Sequence, residues 1–254
     1  MQSPVGSWQA LAVASGKGGV GKSTVTVNLA AALQEKGFVV GIIDCDIYGF
    51  SVARLLGVEG QRPEAKDGKI QPIVVDGIEI ISMGNFVEDN SPVIWRGPML
   101  GKVLRQFLED VAWNKDLNYL LLDLPPGTGD MALDVARFIP GAGLILVTTP
   151  QEVAADVAGR AANAALKTGL NLLGVVENMS YFVCPHCEKI TELFGAGGGQ
   201  KLAGELKVPL LARIPLTATV REMGDKGRPA ARLEGSLEAA VFGELADRVV
   251  TALK

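Results

Sequence analysis

The chain has 254 residues, of which 48% are hydrophobic, and a formal net charge of −4. This length and apolar content can fill one large core, and the slightly acidic balance argues against a free-standing nucleic-acid binder, which is usually basic. Three cysteines are too few for a disulfide framework in a chain of this size, so a reducing compartment, the cytoplasm, is expected. The pattern of a signal peptide is not found at the N-terminus, and no apolar run is long enough to predict a membrane span.

Apolar runs alternate with helical patterns along the chain. The runs show little polar alternation, which is typical of strands covered on both faces, as in a parallel sheet. Strands are predicted at residues 10–15, 38–44, 119–124, 143–149, 172–178 and 209–215. Helices are predicted at residues 22–36, 98–111, 151–167, 200–206 and 237–253. Residues 70–82 are predicted to form a hairpin, because Asp76-Gly77 separates two β-rich runs. The alternation predicts an α/β fold with a doubly wound, mostly parallel sheet.

The strongest motif is GKGGVGKST, which lies between the first predicted strand and the first predicted helix. It matches the phosphate-binding loop G-x-x-x-x-G-K-[ST], in which glycines let backbone N–H groups surround phosphate oxygens. Lys22 is expected to reach the β- and γ-phosphates, and Ser23 to offer its hydroxyl to Mg²⁺. The predicted nucleotide-binding residues of this loop are Gly16, Lys17, Gly18, Gly19, Val20, Gly21, Lys22, Ser23 and Thr24.

Carboxylates follow two of the predicted strands. Asp46 comes just after the second strand, and Asp123 ends the third. Because the carboxyl ends of parallel strands meet at one edge of a sheet, both are expected to face the phosphate loop. Asp123 is placed to order Mg²⁺ directly or through water, whereas Asp44 is expected to support the site. Capping of the next helix is the alternative role for carboxylates at strand ends.

Cys184 and Cys187 form a C-x-x-C pair with His186, the chain's one histidine, between them. Thioredoxin-type redox sites place such a pair where a strand leads into a helix, but the flanks here predict a short hairpin, or knuckle, with no helix starting at Cys184. Zinc or a [4Fe–4S] cluster requires four ligands, and this pair supplies two. His186 is expected to point away from the site, and Cys45 to be a small neutral filler beside the nucleotide.

The arrangement of these motifs resembles a known family. GKGGVGKS, with its second lysine Lys17, resembles the deviant Walker ATPases: the division and partition ATPases, the nitrogenase iron protein, the arsenite ATPase and the Mrp/ApbC iron–sulfur carriers. SGKGGVGKST, DIYG.S, LPPGTGD, ENMSYFVCPHC and LFGAGGGQKLA follow one another in this order, and together they resemble the Mrp/ApbC/Nbp-type P-loop ATPases of iron–sulfur cluster assembly over residues 11–228. CPHC followed by FGAGGG is the specific part. Phe50 stands where proline is expected, and Cys45 where alanine is common.

The resemblance implies a role for several residues of the nucleotide site. Lys17 would reach the nucleotide of the other subunit in a homodimer. Asp46 would orient the attacking water and contribute, with Ser23 and Asp123, to the Mg²⁺ site. In the second switch, PPGTGD, the amide of Gly127 would sense the γ-phosphate.

Three further residues are implied as contacts of the adenine base: Asn178, Pro215 and Leu216. The resemblance also implies that residues 1–254 form one ATPase domain of the division and partition ATPase type, with the CPHC knuckle inserted at about 180–191.

A twofold axis between two subunits would bring two knuckles together and place four thiolates from Cys184 and Cys187 around one bridging cluster. The expected function is therefore that of a slow ATPase and homodimeric carrier, which receives a [4Fe–4S] cluster from the assembly machinery and transfers it to apoproteins. Neither nucleic acid nor membrane is an expected partner.

Two alternatives remain open at this stage. One is a partition or division ATPase that acts on DNA or membrane; against it, the predicted helix 237–253 lacks the basic flank of a membrane anchor and is expected to pack on the core. The other is the same dimer with structural zinc, because thiolates suit both metals.

Overall fold

The computed structural model describes residues 8–46, 49–86, 97–127, 129–151 and 169–253, with the backbone alone at 97–100, 129 and 130. The strands are β1 Gln9–Ser15, β2 Val40–Asp44, β3 Ala65–Lys66, β4 Lys69–Ile70, β5 Ile73–Val75, β6 Ile78–Ser82, β7 Tyr119–Asp123, β8 Gly143–Thr148, β9 Asn171–Glu177, β10 Phe182–Val183, β11 Ile190–Thr191 and β12 Leu210–Arg213. The α-helices are α1 Lys22–Glu35, α2 Ser51–Leu55, α3 Gly97–Glu109, α4 Gly129–Phe138, α5 Gly198–Leu206, α6 Ala218–Asp225 and α7 Leu237–Ala252. Two short 3-10 helices are Met83–Phe86 and Ala230–Arg232.

An eight-stranded sheet organises the fold, in the order β12-β9-β8-β1-β7-β2-β6-β5. Every neighbouring pair in it is parallel except β5 and β6. The six predicted strands all lie in this sheet, so the predicted α/β fold with a mostly parallel sheet is confirmed. Asp76 and Gly77 form the turn of the predicted β5–β6 hairpin, and both have positive φ, 46° and 80°, as a two-residue hairpin turn requires.

Helices cover both faces of the sheet and bury its alternating side chains. On one face Leu11 and Val13 of β1 belong to a buried cluster with apolar residues of α1 and α7. On the other face Ala10 and Ala12 of the same strand belong to a second cluster with residues of α3, α4 and α5. Burial on both faces explains why the strand sequences are almost continuously apolar.

Some sequence expectations differ from the structure. Helices α2, α4 and α6 were not predicted. Helix α2 has only five residues, and α6 buries none of its side chains. Helices α2 and α6 therefore lack the long apolar face by which a helix is identified in a sequence. The short β3–β4 hairpin, at residues 65–70, was not predicted either. Apart from Gln151, the predicted helix 151–167 lies outside the described residues.

The C-terminal helix α7 packs on the core as predicted. Leu245 and Val249 are fully buried, and Phe242 joins them. Leu237 is 45% exposed; it occupies the first position after the N-cap Ser236, whose hydroxyl accepts the Ala239 N–H. Among the described helices, none combines the length and the hydropathy that crossing a bilayer requires.

Candidate nucleotide site and cysteine knuckle

The phosphate loop connects β1 to α1 at the carboxyl edge of the sheet. Gly21 forms the N-cap of α1 with a φ of 81°, and a Cβ there would lie 2.2 Å from the Asn178 side-chain nitrogen. Asn178 Nδ2 donates a hydrogen bond of 2.8 Å to the carbonyl of Val20. Glycine is therefore required at 21 both by the backbone conformation and by the close approach of the β9 end.

Asp123, at the end of β7, binds the first turn of α1 through both carboxylate oxygens. Its Oδ2 lies 2.7 Å from Lys22 Nζ and accepts a hydrogen bond of 2.6 Å from Ser23 Oγ. Its Oδ1 accepts a hydrogen bond of 2.6 Å from Thr26 Oγ1. The carboxylate is fully buried, so these donors compensate a charge that water cannot reach. A nucleotide that takes Lys22 and Ser23 must exchange these contacts.

Thr26 was missed by the sequence reasoning. It lies one helical turn after Lys22, on the same side of α1, and this spacing is the signal that could have found it. Asp46 lies on the other side of the lysine, with an oxygen 3.9 Å from Lys22 Nζ. The hydroxyl of Ser23 and the carboxylates of Asp46 and Asp123 are hard oxygen donors, which is the donor set that Mg²⁺ prefers.

Asp44 supports this site from beneath. It pairs in register with Asp123 across β2 and β7 and accepts hydrogen bonds from Ser82 Oγ and from the Asp46 backbone N–H. Burial, together with the nearby Asp123 charge, raises the pKa of Asp44 to about 8. Burial and the Asp44 charge also raise the pKa of the Cys45 thiol. Cys45 is thus a buried neutral thiol beside the nucleotide site, in the place expected for a filler.

Two adjoining cavities lie above the loop. One, of about 590 Å³, is lined by the loop residues from Lys17 to Thr24 and by Asp46 of the predicted set. The second, of about 290 Å³, is lined by residues including Asn178, Pro215 and Leu216, the three that were expected to contact a base. They share Gly21, Thr24, Arg54 and Leu55 as walls. Their combined size suits a nucleotide, with phosphates over the loop and the base beside Asn178.

Arg54 of α2 lies where the two cavities meet and was not predicted as a site residue. Within the part of the chain that the structure describes, the Arg54 side chain has no hydrogen bond or ion pair. Lys22, by contrast, is paired with Asp123. A basic residue in a short helix after the Asp46 loop is a weak sequence signal of a binding site, because only the tertiary structure places it beside the cavities.

Lys17 and Gly127 lie at the other end of the loop. Lys17 is half-buried, with its Nζ 3.3 Å from the side-chain oxygen of Gln151. Gly127 has a φ of 70°, and its N–H donates a 2.8 Å hydrogen bond to the Ser15 carbonyl. Gly16 is buried beside it, with its carbonyl 3.3 Å from where a Gly127 Cβ would lie. A γ-phosphate contact with the Gly127 amide requires the bond to Ser15 to open.

The cysteine pair sits in the predicted knuckle. Strands β10 and β11 pair antiparallel, and the Cys184 N–H donates 3.1 Å to the Lys189 carbonyl, which closes the loop. Residues 184–188 form a turn and not a helix, which is the difference from a thioredoxin-type site.

The geometry of the knuckle favours the Cys184 thiolate. Hydrogen bonds from the backbone N–H groups of His186 and Cys187, and from the Cys187 thiol, lower the pKa of Cys184. Both thiols are free; Cys187 is exposed and Cys184 half-buried. In the described residues, no group of three or more His, Cys, Asp or Glu side chains could hold a metal ion.

Comparison with known proteins identifies the family of the chain. Residues 7–250 match the ParA family model, described as NUBPL iron-transfer P-loop NTPase. A protein of Mycobacterium leprae (strain TN) called "Iron-sulfur cluster carrier protein" is 52% identical over 223 residues, which are 85% of this chain and 57% of that protein. A protein of the same name from Bacillus subtilis (strain 168) is 54% identical over 206 residues, 81% of this chain and 58% of its own length. The chain therefore spans less than two thirds of the length of these two relatives.

Among solved structures, a nucleotide-binding protein from Archaeoglobus fulgidus in complex with ADP superposes with a TM-score of 0.76. It is 37% identical, and the match covers 91% of this chain and 93% of that one. The fold of the described residues is thus that of a protein that binds ADP.

Proposed function

This chain belongs to the family of NUBPL iron-transfer P-loop NTPases, and on that premise we propose that it is an ATP-dependent carrier of a [4Fe–4S] cluster. One observation carries the proposal: two free thiols, one with a lowered pKa, lie on an exposed knuckle in the same chain as a nucleotide site. The thiolate is the form that binds metal. The name of these relatives, iron–sulfur cluster carrier protein, agrees with this function.

We propose that the chain hydrolyses ATP by in-line attack of water on the γ-phosphate. The protein promotes this step by positioning the water and the phosphate and by neutralising the phosphate charge. Lys22 leaves Asp123 to contact the β- and γ-phosphates, and Asp46 orients the attacking water. Ser23, Asp46 and Asp123 are the residues that would hold Mg²⁺, which supplies positive charge at the phosphate oxygens. Arg54 is placed to add a further charge where the two cavities meet.

Turnover is expected to be slow, because ATP serves as a switch. The bond between the Gly127 amide and the Ser15 carbonyl is the contact that a γ-phosphate would replace. Adenine would lie in the second cavity against Asn178, Pro215 and Leu216.

Two chains are needed to complete the coordination of one cluster. The knuckle supplies Cys184 and Cys187, and four thiolates are the usual complement of a [4Fe–4S] centre. We therefore propose a homodimer in which Lys17 of each subunit reaches the nucleotide of the other. Its further partners would be cluster donors and recipient apoproteins, with neither nucleic acid nor membrane, in the reducing cytoplasm where free thiols persist.

The experiment is anaerobic reconstitution with iron and sulfide, followed by metal and sulfide analysis and measurement of the mass in solution. We expect about two iron and two sulfide per chain, a dimeric mass, and a broad visible absorption. Cys184→Ser should abolish all three. Cys45→Ala is the matched control, since Cys45 is buried beside Asp123 and should leave cluster binding intact.

Three results would contradict the proposal. Zinc without sulfide at the knuckle would make the site structural, and a monomer that binds no metal under strict exclusion of oxygen would remove the carrier function. ATP-dependent binding to DNA or vesicles instead would favour the partition or division class.

A further inference from the structure

A buried carboxylate links the end of β9 to two other elements. Glu177 is 1% exposed. Its Oε1 accepts a hydrogen bond of 2.5 Å from Ser180 Oγ, and its Oε2 accepts one of 2.6 Å from the Gly199 N–H at the start of α5. Arg213 Nε, at the end of β12, lies 3.3 Å from Oε1 and 2.9 Å from Ser180 Oγ. Each oxygen of Glu177 thus has its own donor.

Backbone bonds join the chain entering the knuckle to the loop that lines the base cavity. The Ser180 N–H donates 2.8 Å to the Ile214 carbonyl, and the Leu216 N–H donates 2.7 Å to the Tyr181 carbonyl. Phe182 of β10 and Leu216 then form an isolated parallel bridge. Leu216 lines the base cavity, and Phe182 precedes Cys184 by two residues, so a short strand connects one site to the other.

Arg213 holds the outside of this connection. Its guanidinium carbon lies 5.7 Å from the centre of the Tyr181 ring, and its NH2 lies 3.7 Å from a carboxylate oxygen of Glu192, the residue after β11. The arginine therefore contacts the residue before β10 and the residue after β11 on one side, and the buried Glu177 on the other.

We propose that Glu177 and Arg213 are positioning residues that transmit occupancy of the base cavity to Cys184 and Cys187 within one chain. Asn178, expected to contact the base, is the next residue after Glu177, and Leu216 is paired with the knuckle strand. A base that shifts Asn178 or Leu216 moves backbone that is bonded to residues 180–182. The inference rests on the proposed function only in that this chain binds a nucleotide.

This path differs from one that starts at the γ-phosphate. The phosphate cavity includes Lys22 and Asp46, and its walls do not include Pro215, Leu216 or the knuckle. Because Val20, a wall of the phosphate cavity, accepts a hydrogen bond from Asn178, a compound that fills this cavity alone should change the knuckle less than a nucleotide with a base.

The test is the alkylation rate of Cys184 and Cys187 in the cluster-free chain, followed by peptide mass spectrometry. The rate is measured without ligand, with Mg-ATP and with Mg-tripolyphosphate, which has no base. We expect Mg-ATP to change the rate by at least about fivefold, the lower end of ordinary coupling between sites. Tripolyphosphate should have a clearly smaller effect. Since the assay uses neither iron nor sulfide, failure to build a cluster does not affect it.

Glu177→Gln should abolish the ATP effect while the affinity for ATP changes by no more than about twofold. A glutamine keeps the shape of the Glu177 side chain, but its NH2 group replaces one of the two oxygens. That NH2 group must then face a hydrogen-bond donor, with which it cannot form the present bond. Arg213→Gln, a change at a half-exposed side chain, should abolish the effect as well and provides a second variant should Glu177→Gln fold poorly. Glu205→Gln, an exposed carboxylate on α5 outside the network, is the matched control and should keep the full effect.

Three outcomes would overturn the inference. They are an ATP effect that survives in both variants, an equal effect from tripolyphosphate, and no effect of ATP on the unsubstituted chain. A merely structural role would raise the alkylation rate in the variants equally with and without ATP and would preserve the ratio between the two rates.

Discussion

Asp123 in the nucleotide site is fully buried and accepts hydrogen bonds from Lys22, Ser23 and Thr26, whereas Cys187 in the knuckle is exposed on a two-stranded hairpin. The first region is integrated into the core, so its chemistry and its folding stability depend on the same contacts. The second is held by the backbone bonds of its own hairpin and by contacts with residues 213–216. The two regions should therefore respond differently to substitution. The change in the unfolding free energy of the chain allows substitutions in the two regions to be compared.

Lys22→Met should have the largest effect on stability. It removes the cation from the buried Asp123, and breaking a buried pair costs about 3 kcal/mol. ATP hydrolysis should be lost as well. Urea unfolding without nucleotide measures the first effect, and phosphate release the second.

The matched control is Lys17→Met, in the same loop. Lys17 is half-buried and bonded to Gln151 at 3.3 Å, so its loss should remove hydrolysis with little change in unfolding free energy. Equal stability losses for the two variants would contradict the distinction between the lysines.

Asp44 should make folding stability depend on pH. Burial and the Asp123 charge raise the pKa of Asp44 to about 8, so the folded chain retains a proton that the unfolded chain has already released. Stability should therefore fall as pH rises, by about 1 kcal/mol per unit between about pH 5 and 7. Asp44→Asn should flatten this slope in urea unfolding measured across that range; an unchanged slope would show that Asp44 is not its source.

Thr26→Val should cost about 1.5 kcal/mol, because it removes the donor to Asp123 Oδ1 and leaves a buried oxygen without a partner. Thr26→Ser keeps the hydroxyl and should retain most of the stability. Denaturant midpoints of both variants, measured without nucleotide, test this. If valine and serine behave alike, the hydrogen bond contributes little.

Cys187→Ser should have the smallest effect on stability, within about 0.5 kcal/mol for the metal-free chain, because the side chain is exposed. The same substitution should remove bound iron entirely. A large loss of stability without metal would mean that the knuckle contributes to the core, contrary to the comparison between the two regions.

Much of the fold could be predicted from the chain by itself. Six apolar runs became six of the seven strands that pair parallel in the sheet. Asp76-Gly77 formed the expected turn, since continuous apolar runs and turn residues depend on local chain geometry. The short α2 and the exposed α6 were missed, because a helix of five residues, or one that buries no side chain, has no clear apolar period.

The candidate site divides in the same way. The phosphate loop and the cysteine pair are contiguous motifs, and both can be recognised from the sequence alone. Thr26 and Arg54 were missed, because their importance depends on which strands and helices lie beside them.

By itself, the sequence determined the loop that can surround phosphate, the thiol pair on a turn, and the class of fold, since each depends on residues close together in the chain. The tertiary structure decided which carboxylate meets Lys22, 101 residues away, and that Asn178 meets Val20 across 158 residues. It also paired the base loop with the strand that precedes Cys184. Contacts of this kind follow from the order of strands in the sheet, which local sequence patterns do not specify.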